Sequence, residues 1–158
     1  MPTVYIGIGS NLGSRKENCL NALSLLSDRG IRVRKQSAMI ETEPWGVKRQ
    51  PRFLNMAVET ETELEPGGLL VLLKQIEKDM GRGETYKWGP RIIDLDILLY
   101  DGLVLNTPEL QIPHPLLHQR NFVLRPLSEI APDTIHPVLK KSIRELLEDL
   151  KFQNPNSE

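Results

Sequence analysis

Asp94 and Asp96 stand one residue apart in the run Ile92-Ile93-Asp94-Leu95-Asp96-Ile97-Leu98-Leu99-Tyr100, which holds no other charge. Period-two alternation puts Ile93, Leu95, Ile97 and Leu99 on one apolar face of a strand. Both aspartates then share the opposite face, continued by Leu98 and Tyr100. Two residues of strand separate α-carbons by roughly 6.5–7 Å, so the carboxylates converge on one small volume. Such a pair in an apolar strand is costly unless it is paired or metal-bound. Two magnesium ions, roughly 3.5–4 Å apart, would satisfy both. Lys87, Trp88 and Arg91 lie just upstream. Cations beside a hard-metal site point to a polyphosphate substrate. A bare Asp-x-Asp is often only the solvated face of a sheet. The extended pattern K-W-G-P-R-x-x-D-L-D-I is far more specific.

Phe53 and Asn55 fall opposite the core face of another strand. An aromatic plane beside an amide suits a flat, hydrogen-bonding heterocycle. Phe122, just after Arg120-Asn121, is a candidate second plane, although each Phe alone reads more readily as core. Glu77 sits one residue past the apolar stripe of a helix, where a solvated charge is the plain expectation. His114 lies between Pro113 and Pro115, and a lone histidine is more often structural. Gly7-x-Gly9 has the wrong spacing for a dinucleotide fingerprint, because position 12 is Leu12. There is no Gly-Lys-Ser or Gly-Lys-Thr, so phosphate binding falls to arginines and metal. Gly7 and Gly9 instead let another part of the chain approach the sheet closely.

The positioning elements read in the order β-α-β-β-α-β. Val4–Ile8 alternates as a strand. Ser14 and Glu17 form a capping-box pattern for a helix presenting Cys19, Ala22, Leu23 and Leu26 and ending near Gly30. Residues 31–40 read as one long strand, and Leu54, Met56 and Val58 mark the core face of the next. Pro66 opens a second helix with Leu69, Leu72, Leu73, Ile76 and Met80 on one stripe, stopped at Gly81. The Asp strand follows. A small hairpin near 104–112 and helices near 123–130 and 142–151 complete the chain. This order predicts an α+β fold: a four-stranded antiparallel sheet, two helices on one face, and C-terminal helices over part of the other. The connections 41–52 and 81–90 are long for their tasks and have the Gly, Pro, Trp and basic content of lids.

The 158 residues suggest a single domain, 1–158, with a frayed tail over 152–158. At 39% hydrophobic and 26% charged, the chain reads as globular, and its net charge of −1 gives no sign of nucleic-acid binding. Cys19 is the only cysteine, so no intrachain disulfide forms, which fits a reducing cytoplasm. No signal-peptide pattern opens the sequence, and the longest apolar stretch, Leu69–Leu73, is too short to span a bilayer. A monomer acting on small molecules, without nucleic acid or membrane partners, is expected.

The Asp-strand pattern resembles the signature of the 6-hydroxymethyl-7,8-dihydropterin pyrophosphokinases of folate biosynthesis. The likeness extends over nearly the whole chain. It takes in Tyr5-Ile6-Gly7-Ile8-Gly9-Ser10-Asn11-Leu12, then Thr42, Pro44, Gly46 and Phe53-Leu54-Asn55. It continues to Pro113-His114-Pro115 and Arg120-Asn121-Phe122. The resemblance implies an elaborated ferredoxin-like fold. It implies ATP-dependent transfer of a pyrophosphoryl group to the pterin hydroxyl with release of AMP, and Asp94 and Asp96 holding two Mg2+ ions. It also implies that Phe53 and Phe122 sandwich the pterin, Asn55 reads its edge, and Thr42, Glu43 and Trp45 line the same pocket. Glu77, Lys87, Trp88, Ile97, His114 and Arg120 would hold the nucleotide, with Arg82 and Arg91 reaching the triphosphate in catalysis. Phe53 stands where the family often has tyrosine, and stacking survives that change. Glu84 and Glu109 stand where some relatives carry arginine, a loss that Lys87 would offset, and Pro115 replaces an aromatic of some relatives. Two rival functions use the same residues. A magnesium-dependent nucleotidyltransferase would release pyrophosphate. A non-catalytic RNA-binding module would stack bases on an open sheet face.

Overall fold

The computed structural model describes residues 1–42, 52–81 and 92–153. The candidate residues Glu43, Trp45, Arg82, Lys87, Trp88 and Arg91 lie outside that set, as do most of both proposed lids and residues 154–158.

The order of elements is β1 (Thr3–Ser10), α1 (Arg15–Asp28), β2 (Arg32–Gln36), β3 (Ile40–Thr42), β4 (Phe53–Glu61), α2 (Pro66–Asp79) and β5 (Asp94–Tyr100). Then come β6 (Leu105–Asn106), β7 (Gln111–Ile112), a 3-10 turn at Leu117–Gln119, α3 (Asn121–Ile130) and α4 (Ile143–Gln153). The main sheet is antiparallel, in the order β2-β4-β1-β5, with β3 also on β4. The expected hairpin is present as β6 with β7. No helix among the described residues is long and apolar enough to cross a membrane.

Two apolar clusters sandwich the sheet. Val4, Ile6, Ile8, Met56 and Val58 face α1 and α2, meeting Cys19, Ala22, Leu26, Leu69, Leu73 and Ile76. Tyr5, Ala57, Leu98 and Leu99 face α3 and α4, meeting Leu124, Leu127, Ile143 and Leu146. Burial of each such side chain stabilises the fold by about 1.5–3 kcal/mol. Cys19 is wholly buried, and burial pushes its thiol up to about 11. It behaves as a small hydrophobe, as its helix position predicts.

Three local features depart from the sequence reading. The long strand expected over 31–40 is broken into β2 and β3. Gln36 pairs with Val58 and Ile40 with Asn55, so this side carries one extra residue. Ser37 fills the gap: its backbone N–H donates to the Ala57 carbonyl, and its Oγ accepts the Ala57 N–H, each at 2.9 Å. Glu129 of α3 takes the Ala38 N–H at 3.0 Å. The second departure is in β5. Tyr5 pairs with Leu99 and Ile6 with Ile97, leaving Leu98 as a bulge residue. Alternation therefore reverses there. Leu99 joins Leu98 on the α3–α4 side, and Tyr100 returns to the α1–α2 side, donating its hydroxyl to the Leu64 carbonyl at 2.6 Å. Third, Ser14 is the N-cap residue of α1 but makes no side-chain capping bond, its backbone (φ −80°, ψ 81°) being outside the extended region that aims a cap. The same S-x-x-E pattern closes reciprocally at α4. The Ser142 N–H donates to Glu145 Oε1 at 3.0 Å, and the Glu145 N–H to Ser142 Oγ at 3.1 Å.

The α3–α4 connection holds a pH-sensitive contact. His136 Nδ1 accepts the N–H groups of Val138 and Leu139 at 3.2 and 3.0 Å. Burial, and then neighbouring His118, lower its pKa. The unfolded chain therefore binds the proton more readily, and stability falls as pH drops below about 6.5 through the folded pKa. His114 is lowered too, so the wild-type loss combines both. Denaturant midpoints at pH 8 and pH 5 should show a smaller acid loss in His136→Gln than in wild type. An equal loss in the two proteins would contradict the assignment.

Candidate active site

The sheet supplies the floor of the site as two cross-strand rows. Gly9 of β1 pairs with Asn55 of β4 on one side and with Asp94 of β5 on the other. One step along, Gly7 pairs with Ala57 and Asp96. With strands spaced by about 4.8 Å, Asn55 and Asp94 stand roughly 10 Å apart across a glycine that raises no side chain between them. An amide at one end, carboxylates at the other and a bare floor between make a seat for a flat ring with a reactive arm.

That floor belongs to a cleft walled by Thr42, Phe53 and Asn55 on one side and by Arg120, Phe122 and Val123 on the other. Phe53 and Phe122 thus come together in one cavity, although 68 residues of chain lie between them. The start of α3 presents Phe122. The Arg120 guanidinium lies 5.4 Å from the Phe122 ring centre, within cation–π range. Arg120, expected with the nucleotide, is thereby placed in the wall of this first cleft.

A second cleft lies beyond β5. Glu77, Ile97 and His114 line it, as do Glu109 and Pro115. Leu70, Lys74 and Gln111 also line it, and sequence reading did not single them out. Leu70, Lys74 and Glu77 are spaced i, i+4, i+7 along α2, a helical face that could have been recognised once Glu77 was suspected. Asp94 and Asp96 line both clefts and are the part of the wall the two have in common.

Glu77 is not the solvated charge its position suggested. It is 5% exposed, and its Oε2 accepts the Leu95 N–H at 2.8 Å. β5 is an edge strand, so that N–H has no strand partner on its outer side. Glu77 closes the edge at the residue between the two aspartates. His114 is tied to the same strand through its N–H, which donates to the Leu98 carbonyl at 3.0 Å. Burial, then the Arg120 charge, push its imidazole down to about 4, against the opposing pull of Asp94. Nδ1 accepts the Leu116 N–H at 3.2 Å, so the neutral ring carries its proton on Nε2 as a donor.

The residues present fit magnesium. Among the described residues no group of three or more His, Cys, Asp or Glu side chains is arranged to hold a metal by itself. Two carboxylates without a third suit an ion that keeps several waters and takes its other ligands from substrate phosphates.

Comparison with known proteins gives a consistent picture. The family model described as 7,8-dihydro-6-hydroxymethylpterin-pyrophosphokinase matches residues 5–132. A 2-amino-4-hydroxy-6-hydroxymethyldihydropteridine pyrophosphokinase of Aquifex aeolicus is 44% identical over 145 residues, covering 92% of this chain and 90% of that protein. A mitochondrial folate synthesis bifunctional protein of Arabidopsis thaliana is 47% identical over 127 residues, 80% of this chain and 23% of that one. Among solved structures, Plasmodium falciparum HPPK-DHPS superposes with a TM-score of 0.75 at 17% identity, covering 97% of this chain. The chain spans 46% of that larger protein, and the likeness speaks to the fold alone.

Proposed function

The chain belongs to the 7,8-dihydro-6-hydroxymethylpterin-pyrophosphokinase family, and from that premise we propose how its two clefts divide the work. The activity is pyrophosphoryl transfer in folate biosynthesis, with ATP as co-substrate and 2-amino-4-hydroxy-6-hydroxymethyldihydropteridine as acceptor. In our reading the pterin enters the cleft between Phe53 and Phe122, and Asn55 reads its edge beside Thr42. ATP enters the cleft of Glu77, Ile97 and His114. The single observation that carries this division is the common wall: Asp94 and Asp96 face both clefts. A donor phosphate and an acceptor hydroxyl meet only there.

Asp94 and Asp96 would hold two magnesium ions, which when bound would supply charge neutralisation along the triphosphate. The protein's own contribution is positioning. β5 aims the carboxylates, Glu77 fixes the strand edge between them, and neutral His114 offers a donor from the nucleotide side. Arg120 adds positive charge from the wall of the pterin cleft, close enough to His114 to lower its pKa. Glu43 and Trp45 with the pterin, and Arg82, Lys87, Trp88 and Arg91 with the phosphates, follow from the family pattern. The strand order β2-β4-β1-β5 with both helices on one face supports an elaborated ferredoxin-like fold. A monomeric cytoplasmic enzyme is the reading we adopt.

Incubation with ATP, Mg2+ and the pterin alcohol should yield AMP and the pterin pyrophosphate. Release of inorganic pyrophosphate with a nucleotidylated pterin would instead identify a nucleotidyltransferase. The RNA-binding alternative needs an open sheet face, and α3 and α4 cover the face bearing Phe53 and Asn55 outside the cleft. Phe122→Ala should weaken pterin binding by about 1–3 kcal/mol while leaving ATP binding nearly unchanged. Calorimetry with each ligand separately checks this. An equal loss for ATP would make Phe122 a core residue.

A further inference from the structure

Arg15 opens α1 on the same helical face as Cys19, Ala22 and Leu26, which are buried against the sheet. Its charge is near enough to Cys19 to oppose the rise in that thiol's pKa. The turn before it is tied too: Asn18 Nδ2 donates to the Leu12 carbonyl at 2.9 Å and to Ser10 Oγ at 3.2 Å. From this fixed position the guanidinium divides between two partners. One nitrogen donates to the Arg52 carbonyl at 2.8 Å, and another pairs with Glu41 Oε1. Glu41 and Arg52 stand on the two stems of the β3–β4 connection. Beside them the ladder closes with Glu41 opposite Leu54 and Thr42 opposite Phe53. Glu41 and Leu54 line an open groove with Arg15 on the α1 side, whereas Thr42 and Phe53 line the pterin cleft.

We propose that Arg15 is a positioning residue: from outside the pterin cleft it clasps both stems of the β3–β4 connection and so holds Thr42 and Phe53 in place before the substrate arrives. This rests on the pterin-cleft reading and deepens it. β3 is only three residues long and has three ladder pairs, all with β4. Its beginning is anchored through Ser37 and through the bond from Ala38 to Glu129. Arg15 does the same for its end. The ion pair with Glu41 is part-exposed, with side-chain exposures of 30% and 48%, and such pairs add little to global stability. Its effect is local order. Without the clasp, the bound pterin itself must order the strand end, and that cost weakens binding.

Arg15→Ala should raise KM for the pterin alcohol roughly three- to tenfold. Turnover at saturating pterin and KM for ATP should both stay within about twofold, because the bound state is unchanged and the nucleotide cleft is separate. Arg15→Lys keeps a charge opposite Glu41 but lacks the planar fork that serves two acceptors at once, so it should recover only part of the pterin KM. Lys141→Ala removes a comparably exposed pair, Lys141 with Asp149, far from β3 in the sequence, and should leave pterin KM within about twofold. A wild-type pterin KM in folded Arg15→Ala, or an equal rise in Lys141→Ala, overturns the proposal. So does a fall in turnover with pterin KM unchanged. Full recovery in Arg15→Lys overturns the two-point hold. Should Arg15→Ala not fold, Glu41→Ala decides: it removes one arm of the clasp and should raise pterin KM roughly threefold, and an unchanged KM overturns the proposal. Wild-type protein that releases no AMP with the pterin alcohol would refute the functional reading itself. Wild-type activity with unchanged pterin KM in the variants refutes only this inference.

Discussion

Asp96→Ala is expected to fold normally and to lose turnover by roughly 10²–10⁴-fold. The fold should survive because the Asp96 side chain lies over Gly7 on the cleft floor, part-exposed, and no apolar cluster contains it. Turnover should collapse because the carboxylate belongs to the wall where the two clefts meet. Removing it takes away a ligand from the charge-neutralising centre and leaves Asp94 alone. Asp96→Asn separates shape from charge. It keeps the size and one acceptor oxygen, and it should lose nearly as much activity as the alanine variant. Circular dichroism and a coupled AMP assay measure the two halves of the expectation. Turnover near the wild-type rate in a folded variant would remove Asp96 from the metal site.

Glu77→Ala is expected to destabilise the protein by about 2–3 kcal/mol, lowering its melting temperature by roughly 5–10 °C. A hydrogen bond to a charged group is lost, and the Leu95 N–H is left at a closed strand edge with no acceptor in place of Oε2. Glu77→Gln keeps an acceptor in the same position and should recover about half the loss. Activity should fall in step, since Leu95 stands between the two aspartates and a shift of the edge moves both. Scanning calorimetry of the three proteins checks the order wild type, Gln, Ala. An alanine variant that melts with the wild type would show that the bond to Leu95 contributes nothing net.

The aspartate pair was legible in the sequence because period two is a strong signal over five residues. The phase of Leu99 and Tyr100 was not, because a bulge leaves no mark in residue types: Leu98 looks like any core leucine. The break at Ser37 is similar. A serine whose Oγ replaces one backbone acceptor reads, in sequence, as an ordinary polar position on an exposed edge. Ser14-x-x-Glu17 and Ser142-x-x-Glu145 carry the same capping pattern, and only the second closes, because backbone angles decide the outcome. Gly7 and Gly9 read as letting another part of the chain approach the sheet; what lies against them is side chains of the neighbouring strands, Leu98 of β5 and Asn55 of β4, and residue spacing does not encode that. The burial of Glu77 was not legible from its helix position, because its partner, a strand-edge N–H, exists only after α2 docks beside β5.

The bulge at Leu98 gives β5 two reading frames. Before it, even-numbered residues look toward the clefts; after it, Leu99 takes up the role that an even number would have had. A deletion of Leu98 would restore unbroken pairing with Leu99 and Tyr100 still on their present sides; pairing Leu98 itself in the ladder, without the bulge, would exchange those sides. Grafting the aspartate pair onto another antiparallel sheet therefore means transplanting more than a tripeptide. The smallest portable piece is the β1–β5 ribbon, with Gly7 and Gly9 on one rail and the out-of-phase leucine on the other.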